Sequence, residues 1–298
     1  MQLSGIFPAL VTPYDPAGAV SLPALQHNIH LYNQTGIAGY VALGSTGESV
    51  MLSREEADSI LCAVKESAAP DKLLIAGTGA ESTAETIVRT KRAAELGYQV
   101  ALVKTPYYYK PIYKPETYLL HYRAVADASP IPILLYSVPQ FTGVSLETPE
   151  ILGLSEHPNI VGIKDSSGVM QRVAEVVGAA RADFQVLTGG AAVIYSALVV
   201  GARGAILALA SALPEHCVQL YEYVRVGQLE RAKELQLGLA QASKRIVSEC
   251  GIAGVKFAMD LRGYQGGLPR LPLLPLKEDK KQQIAAIISA LHPAVASV

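Results

Sequence analysis

The residues of this 298-residue chain best suited to chemistry stand at the ends of short apolar runs. One run ends in Lys164-Asp-Ser-Ser-Gly168 and another in Tyr136. A third ends in Lys104-Thr-Pro-Tyr107-Tyr108-Tyr109, and a fourth in Gly44-Ser45-Thr46-Gly47-Glu48. If these runs are buried strands, a lysine at such a place is the informative member. Burial makes an ammonium costly, so some neutral amine is present at neutral pH. A neutral amine attacks a ketone to give a Schiff base, and the iminium then draws electrons from the neighbouring C–C bond. A phenol such as Tyr136 can relay protons, and the N–H groups of a Gly-rich turn can hold a carboxylate. Blander readings stand beside these. Lys164 could cap a rim or pair with Asp165, and the 44–48 turn could be a tight connection alone. Lys104, followed by a loop of tyrosines, is expected to point to solvent. Tyr107–Tyr109 reads as an interface or surface patch, because adjacent loop aromatics need something to cover them.

The elements that must position these residues alternate along the chain. Runs rich in Val, Ile and Leu predict strands at Gly5–Val11, Gly39–Leu43, Leu73–Ala76, Gln99–Val103, Ile131–Tyr136, Ile160–Lys164, Phe184–Leu187 and Gly204–Ala208. They are apolar on both faces, as strands of a covered parallel sheet are. Between them lie helices with readable starts: Ser21-Leu-Pro, the capping boxes Ser53–Glu56 and Ser82–Glu85, and Thr148-Pro-Glu with Pro in the first turn. Eight strand–helix units predict an α/β fold of the TIM (β/α)8 type; an open doubly wound sheet is the alternative. After about Arg225 the strand signal stops, and helices are expected at Gln228–Val247, Ile252–Leu261 and Lys277–Leu291. The chain thus divides into a barrel carrying the site (1–225) and a C-terminal helical extension (226–298).

Composition removes several classes of function. Basic and acidic residues number 25 and 26, too even a balance for a nucleic-acid or membrane-surface partner. Half the residues are hydrophobic, which excludes disorder. The apolar runs near 191–202 and 205–213 fall short of the roughly 18–20 residues of a membrane span. The N-terminal segment lacks a basic stretch before its apolar one and is not expected to be a signal peptide. Cys62, Cys217 and Cys250 are few, distant and odd in number, which points to reduced thiols and a cytoplasmic protein. The histidines (His27, His30, His121, His157, His216, His292) are scattered away from strand ends. Neither a P-loop, a Gly-x-Ser-x-Gly elbow nor a Gly-x-Gly-x-x-Gly motif occurs, and Gly77-Thr-Gly79 is too short to mean a dinucleotide. Metal, nucleotide and Ser-His-Asp chemistry therefore lack parts, and no cofactor is expected.

Four motifs together resemble the dihydrodipicolinate synthase/N-acetylneuraminate lyase family of pyruvate-dependent class I aldolases. They are Gly44-Ser-Thr-Gly-Glu48, Thr105-Pro-Tyr-Tyr108, Tyr136-Ser-Val-Pro139 with Thr142-Gly143, and Gly162-Ile-Lys-Asp165. The resemblance runs in order along essentially the whole chain. It implies Lys164 as the Schiff-base lysine, Tyr136 as the proton relay, and Ser45 and Thr46 as the keto-acid carboxylate site, with Ser45 joining the relay. It implies that Tyr108 enters a neighbouring subunit's site, hence a homo-oligomer, usually a tetramer built as a dimer of dimers. Gly189 and Ile206 match positions whose backbone lines the pyruvate pocket.

Departures from the family pattern bear on the second substrate, an aldehyde. Synthase members carry an Arg at the position of Phe141, and sialic acid lyases an acidic pair where this chain has Gly189-Gly-Ala-Ala192. Tyr136-Ser-Val-Pro, His157-Pro-Asn-Ile-Val-Gly-Ile-Lys-Asp-Ser166 and Gly251-Ile-Ala-Gly are instead similar to 4-hydroxy-2-oxoglutarate aldolases, in which Ser166 matches a substrate-contacting serine. The expected reaction is cleavage of 4-hydroxy-2-oxoglutarate to pyruvate and glyoxylate. The alternative is condensation of pyruvate with aspartate semialdehyde, and a remote one is a non-catalytic keto-acid-binding barrel. Ser53 and Glu81 replace a His and an Asn that some synthases use to bind lysine, so lysine inhibition is not expected.

Overall fold

The computed structural model describes residues 2–291; His292 and the end of the predicted extension lie outside the described residues. Eight strands form one parallel sheet: β1 (Gly5–Pro8), β2 (Gly39–Ala42), β3 (Leu73–Gly77), β4 (Val100–Lys104), β5 (Ile133–Ser137), β6 (Ile160–Asp165), β7 (Gln185–Thr188) and β8 (Gly204–Leu207). From β2 to β8 each strand pairs with its neighbour in sequence, and β8 pairs with β1. The ring closes between β1 and β2, where the Ala38 N–H donates to Ile6 O (2.9 Å) and the Leu10 N–H to Val41 O (3.0 Å). The fold is a TIM barrel.

Register decides which residues look inward. Successive strand side chains alternate faces, so Leu134 and Tyr136 of β5 face the barrel interior while Ile133 and Leu135 pack outward against the helices. The interior is filled by Phe7, Val41, Ile75, Val100, Leu102, Leu134, Leu187 and Ile206. One layer above this packing, cross-strand pairing aligns Lys104 with Tyr136, Tyr136 with Lys164, and Lys164 with Leu187. Lys104 lies two residues past the inward Leu102, so it also faces the barrel mouth. That corrects the expectation of a solvent-pointing side chain: it is 15% exposed and pairs with Glu81. The predicted β1 runs three residues past the regular strand, which ends at Pro8; Ala9 keeps only an isolated bridge to Val41 before the chain turns away.

The helices follow their sequence signals with one exception. In the helix Arg54–Ser67 both halves of the Ser53–Glu56 capping box form. Before the helix Thr83–Glu95, Ser82 Oγ accepts the Glu85 N–H, but the Glu85 carboxylate turns to Arg54 and Arg89 instead of back to Ser82. The stronger charge-assisted bonds displace half of the expected box. A short helix at Pro139–Thr142 follows β5, and the last helix of the barrel spans Pro214–Arg225.

Beyond it, helix Leu229–Ala242 packs on the barrel and continues as a π-turn at Ser243–Ser248, where one continuous α-helix to Val247 was expected. Gln236 fixes it to the loop after β7, accepting the Tyr195 N–H (2.8 Å) and donating to Ala191 O (3.0 Å). Helices Gly251–Leu261 and Glu278–Ala290 complete the extension. Arg270, on the segment between them, clasps the barrel by donating to both Glu56 oxygens, Met51 O and Gly18 O.

The Arg270 guanidinium holds the Glu56 carboxyl down at about 2. A carboxyl depressed on folding contributes stability above its unfolded pKa, near 4.3, and loses it as pH falls toward the folded value. We expect the melting temperature to fall progressively from about pH 4.5 to pH 2. Glu56→Gln should lower it at pH 7 and flatten that acid slope; an unchanged slope would refute the assignment.

Candidate active site

The C-terminal ends of the strands surround a chamber of about 500 Å³. Lys164, the last inward residue of β6, is only 4% exposed, and its Nζ lies 4.1 Å from the centre of the Tyr136 ring. Among the described residues it forms no hydrogen bond or ion pair, so the cation–π contact is its one polar stabilisation there. The alternative pairing with Asp165 does not occur. Alternation turns Asp165 the other way, where Oδ1 accepts the Ser167 N–H (2.7 Å) and Oδ2 lies 3.8 Å from Arg172 Nη1.

Tyr136 carries the constellation onward, its hydroxyl 3.4 Å from Ser45 Oγ. Ser45 and Thr46 open a single 3-10 turn closed by the Gly47 N–H to Gly44 O and the Glu48 N–H to Ser45 O, both 3.1 Å. The amides that open such a turn have no acceptor within it. Glu48 ends it in left-handed backbone (φ 55°) with its side chain buried. Opposite, the Ser166 N–H donates to Ser137 O (2.9 Å) and the Gly189 N–H to Asp165 O (2.7 Å). A Cβ on Gly189 would collide with the Ser166 side chain, so glycine is what lets these two loops meet. Ile206 closes the floor. The structure thus brings Lys164, Tyr136, Ser45, Thr46, Ser166, Gly189 and Ile206 into one chamber.

Tyr108 is not among them. It is 72% exposed, packs edge-on against Tyr109 with ring centres 5.1 Å apart, and borders neither this chamber nor the cavity beside it. That second cavity, about 240 Å³, shares Ser45, Tyr136 and Phe141 with the chamber and adds Lys104, Tyr107 and Gly79. Burial pushes the Lys104 ammonium down, and Glu81 opposes that shift. The other Glu81 oxygen accepts the Tyr107 and Tyr108 N–H groups at 2.9 and 2.8 Å. Behind it His121, hydrogen-bonded to Thr83 Oγ1, is pushed by burial to about 4 and stays neutral near pH 7.

Sequence reasoning missed two groups. Ser243, Val247, Ser248 and Ile252 of the extension form a wall of the chamber. The π-turn carries the first three and the helix after it Ile252, and no local sequence signal announces a π-turn. Glu48 also pairs with a helix more than 200 residues away.

A model of the dihydrodipicolinate synthetase family matches residues 2–291. The chain belongs to that family. It is 36% identical over 292 residues to a 4-hydroxy-tetrahydrodipicolinate synthase of Exiguobacterium, covering 98% of each chain. Among solved structures it resembles a dihydrodipicolinate synthase of Bacillus anthracis, with TM-score 0.94 and 28% identity over 98% of this chain and 100% of that one. It also resembles the chloride-inhibited dihydrodipicolinate synthase of Acinetobacter baumannii complexed with pyruvate, with TM-score 0.91 and 32% identity over 97% and 98%. As a member of the family the protein is an enzyme, a pyruvate-dependent class I aldolase, which removes the binding-only barrel. No helix among the described residues is long and apolar enough to cross a membrane.

The three Glu81 contacts make a prediction about the tyrosine loop. A hydrogen bond to a carboxylate contributes roughly 1.5–3 kcal/mol. Glu81→Ala should therefore speed amide exchange at Tyr107 and Tyr108 by about tenfold or more, read by hydrogen–deuterium exchange. Unchanged exchange would show that the loop is held by other contacts.

Proposed function

We propose that Lys164 is the Schiff-base lysine of this aldolase. The observation that carries the reading is its buried, unpaired Nζ over the Tyr136 ring in a chamber roomy enough for two small substrates. The neutral amine adds to C2 of pyruvate, and the carbinolamine loses water to give the iminium. Loss of a C3 proton gives the enamine, whose C3 attacks the aldehyde carbonyl; hydrolysis then frees the product and the amine. Cleavage is the reverse. Tyr136, 3.4 Å from Ser45, moves the protons of these steps. Ser45 and Thr46 hold the carboxylate of the keto acid, with Gly189 and Ile206 lining its pocket.

For the second substrate, the names of the relatives support condensation of pyruvate with aspartate semialdehyde over the cleavage expected from the sequence. One observation favours the second reading, cleavage of 4-hydroxy-2-oxoglutarate. Phe141, 66% exposed on the short helix after β5, stands where an Arg would meet a distal carboxylate, and Lys164 is the one charged residue lining the chamber among those described. A two-carbon aldehyde places its carboxylate beside Ser166 and needs no distal cation. Offering the enzyme each substrate pair and quantifying products by chromatography decides between them.

Tyr108 is proposed to cover the second cavity of a neighbouring copy, in a tetramer of two dimers. Exposed Tyr108, Tyr109 and Ile112 give that contact its apolar area. Sedimentation reads the assembly directly. We take residues 1–225 as the barrel unit, 226–298 as its extension, and the cytoplasm as the compartment, in keeping with three free cysteines.

Borohydride with pyruvate should reduce a covalent adduct onto Lys164, mapped by peptide mass. Lys164→Ala should abolish turnover at an unchanged melting temperature. Tyr136→Phe should lower kcat by about 10²–10⁴. An adduct on Lys104, or none, would refute the assignment.

A further inference from the structure

The turn that carries Ser45 and Thr46 is tied to the C-terminal extension through charges with no access to water. Glu48 Oε1 lies 2.7 Å from Lys256 Nζ, and both side chains are sealed from solvent. Lys256 belongs to helix Gly251–Leu261, the helix that also supplies Ile252 and Val255 to the chamber wall. Its Nζ donates to Thr12 O (2.8 Å) and Leu268 O (2.9 Å). The second oxygen of Glu48 accepts the Arg270 N–H (2.8 Å). The Tyr14 ring meets both cations, 4.5 Å from Lys256 Nζ and 4.3 Å from the Arg270 guanidinium carbon. From the barrel side, Thr12 Oγ1 donates to Gly47 O (2.6 Å), so the turn is gripped at two successive residues.

Such a pair is an inefficient way to stabilise a fold, because desolvating two charges offsets most of their attraction. What it does well is fix geometry. Glu48 sits in left-handed backbone, which a non-glycine residue adopts only when its surroundings hold it there. Its carboxylate has one place where it meets both Lys256 and Arg270. Any relaxation of that backbone would rotate the preceding turn and move Ser45, three residues away, relative to Tyr136.

We propose that Glu48 and Lys256 are positioning residues. Their buried pair sets the 44–48 turn so that Ser45 and Thr46 meet the keto-acid carboxylate, and it makes the C-terminal extension a working part of the active site. This rests on the reading of Ser45 and Thr46 given above. A rise in the KM for pyruvate on combining Ser45→Ala with Thr46→Ala checks that reading alone; the variants below check the pair.

Two variants of the full chain are informative. Glu48→Gln keeps the shape and an acceptor for Arg270, and Glu48→Gln combined with Lys256→Met removes both charges together. Kinetics are normalised to the fraction of chains that borohydride traps at saturating pyruvate. The double variant should melt within about 5 °C of wild type, since neutral replacement of a buried pair is well tolerated. Its KM for pyruvate should nevertheless rise roughly tenfold to a hundredfold, and trapping at low pyruvate should slow in proportion, as misplacement by about an ångström does. Glu48→Gln should move KM the same way by less. A wild-type KM in either folded variant overturns the proposal. Insolubility of both assigns the pair to the fold and overturns it too.

Discussion

The barrel mouth depends on one constraint, the register that lines up β4, β5 and β6. Cross-strand pairing places Lys104, Tyr136 and Lys164 in a single inward layer, directly above a plug of Val, Leu, Ile and Phe side chains. A slip of one residue in β6 would turn Lys164 outward and bring Asp165 in. The close packing beneath makes that slip costly, because every interior side chain of the strand would exchange places with one that faces the helices. The stability of the hydrophobic plug and the position of the Lys164 amine are therefore one and the same requirement.

Within that layer, two lysines in similar backbone settings are treated differently. Lys104 meets a carboxylate, Glu81, which the fold also uses to hold the amides of Tyr107 and Tyr108. Lys164 meets only an aromatic face and an open chamber. Lys104 has an anion beside it, whereas Lys164 Nζ has none and stands open to the chamber. The neighbours of each side chain, and neither residue type nor strand position, set the two lysines apart.

The C-terminal extension is more than a buttress. Its π-turn and the helix after it supply Val247, Ser248, Ile252 and Val255 to the chamber, and Arg270 reaches back to Glu56, Met51 and Gly18. Chain segments that close a site from a distance are a usual way for a barrel to vary its acceptor substrate while keeping its chemistry. Phe141 and the extension thus line one side of the chamber, and Lys164, Tyr136 and the 44–48 turn another.

Much of this was legible in the chain itself, because it depends on local rules. Eight doubly apolar runs separated by helices of readable start suffice for the barrel, and the Ser53–Glu56 box forms as spacing demands. Lys164 and Tyr136 stand out because chemistry is concentrated where barrel strands end. Other features were decided only by tertiary structure. Lys104 turns inward because β4 runs one residue further than its apolar stretch suggests. Glu85 abandons its capping role because two arginines come within reach. Glu48 finds Lys256 and Arg270 across more than 200 residues. Propensity and periodicity describe a residue's neighbours along the chain; a buried charge chooses its partner from whatever the closed fold brings within about 3 Å, and the order of residues along the chain does not contain that.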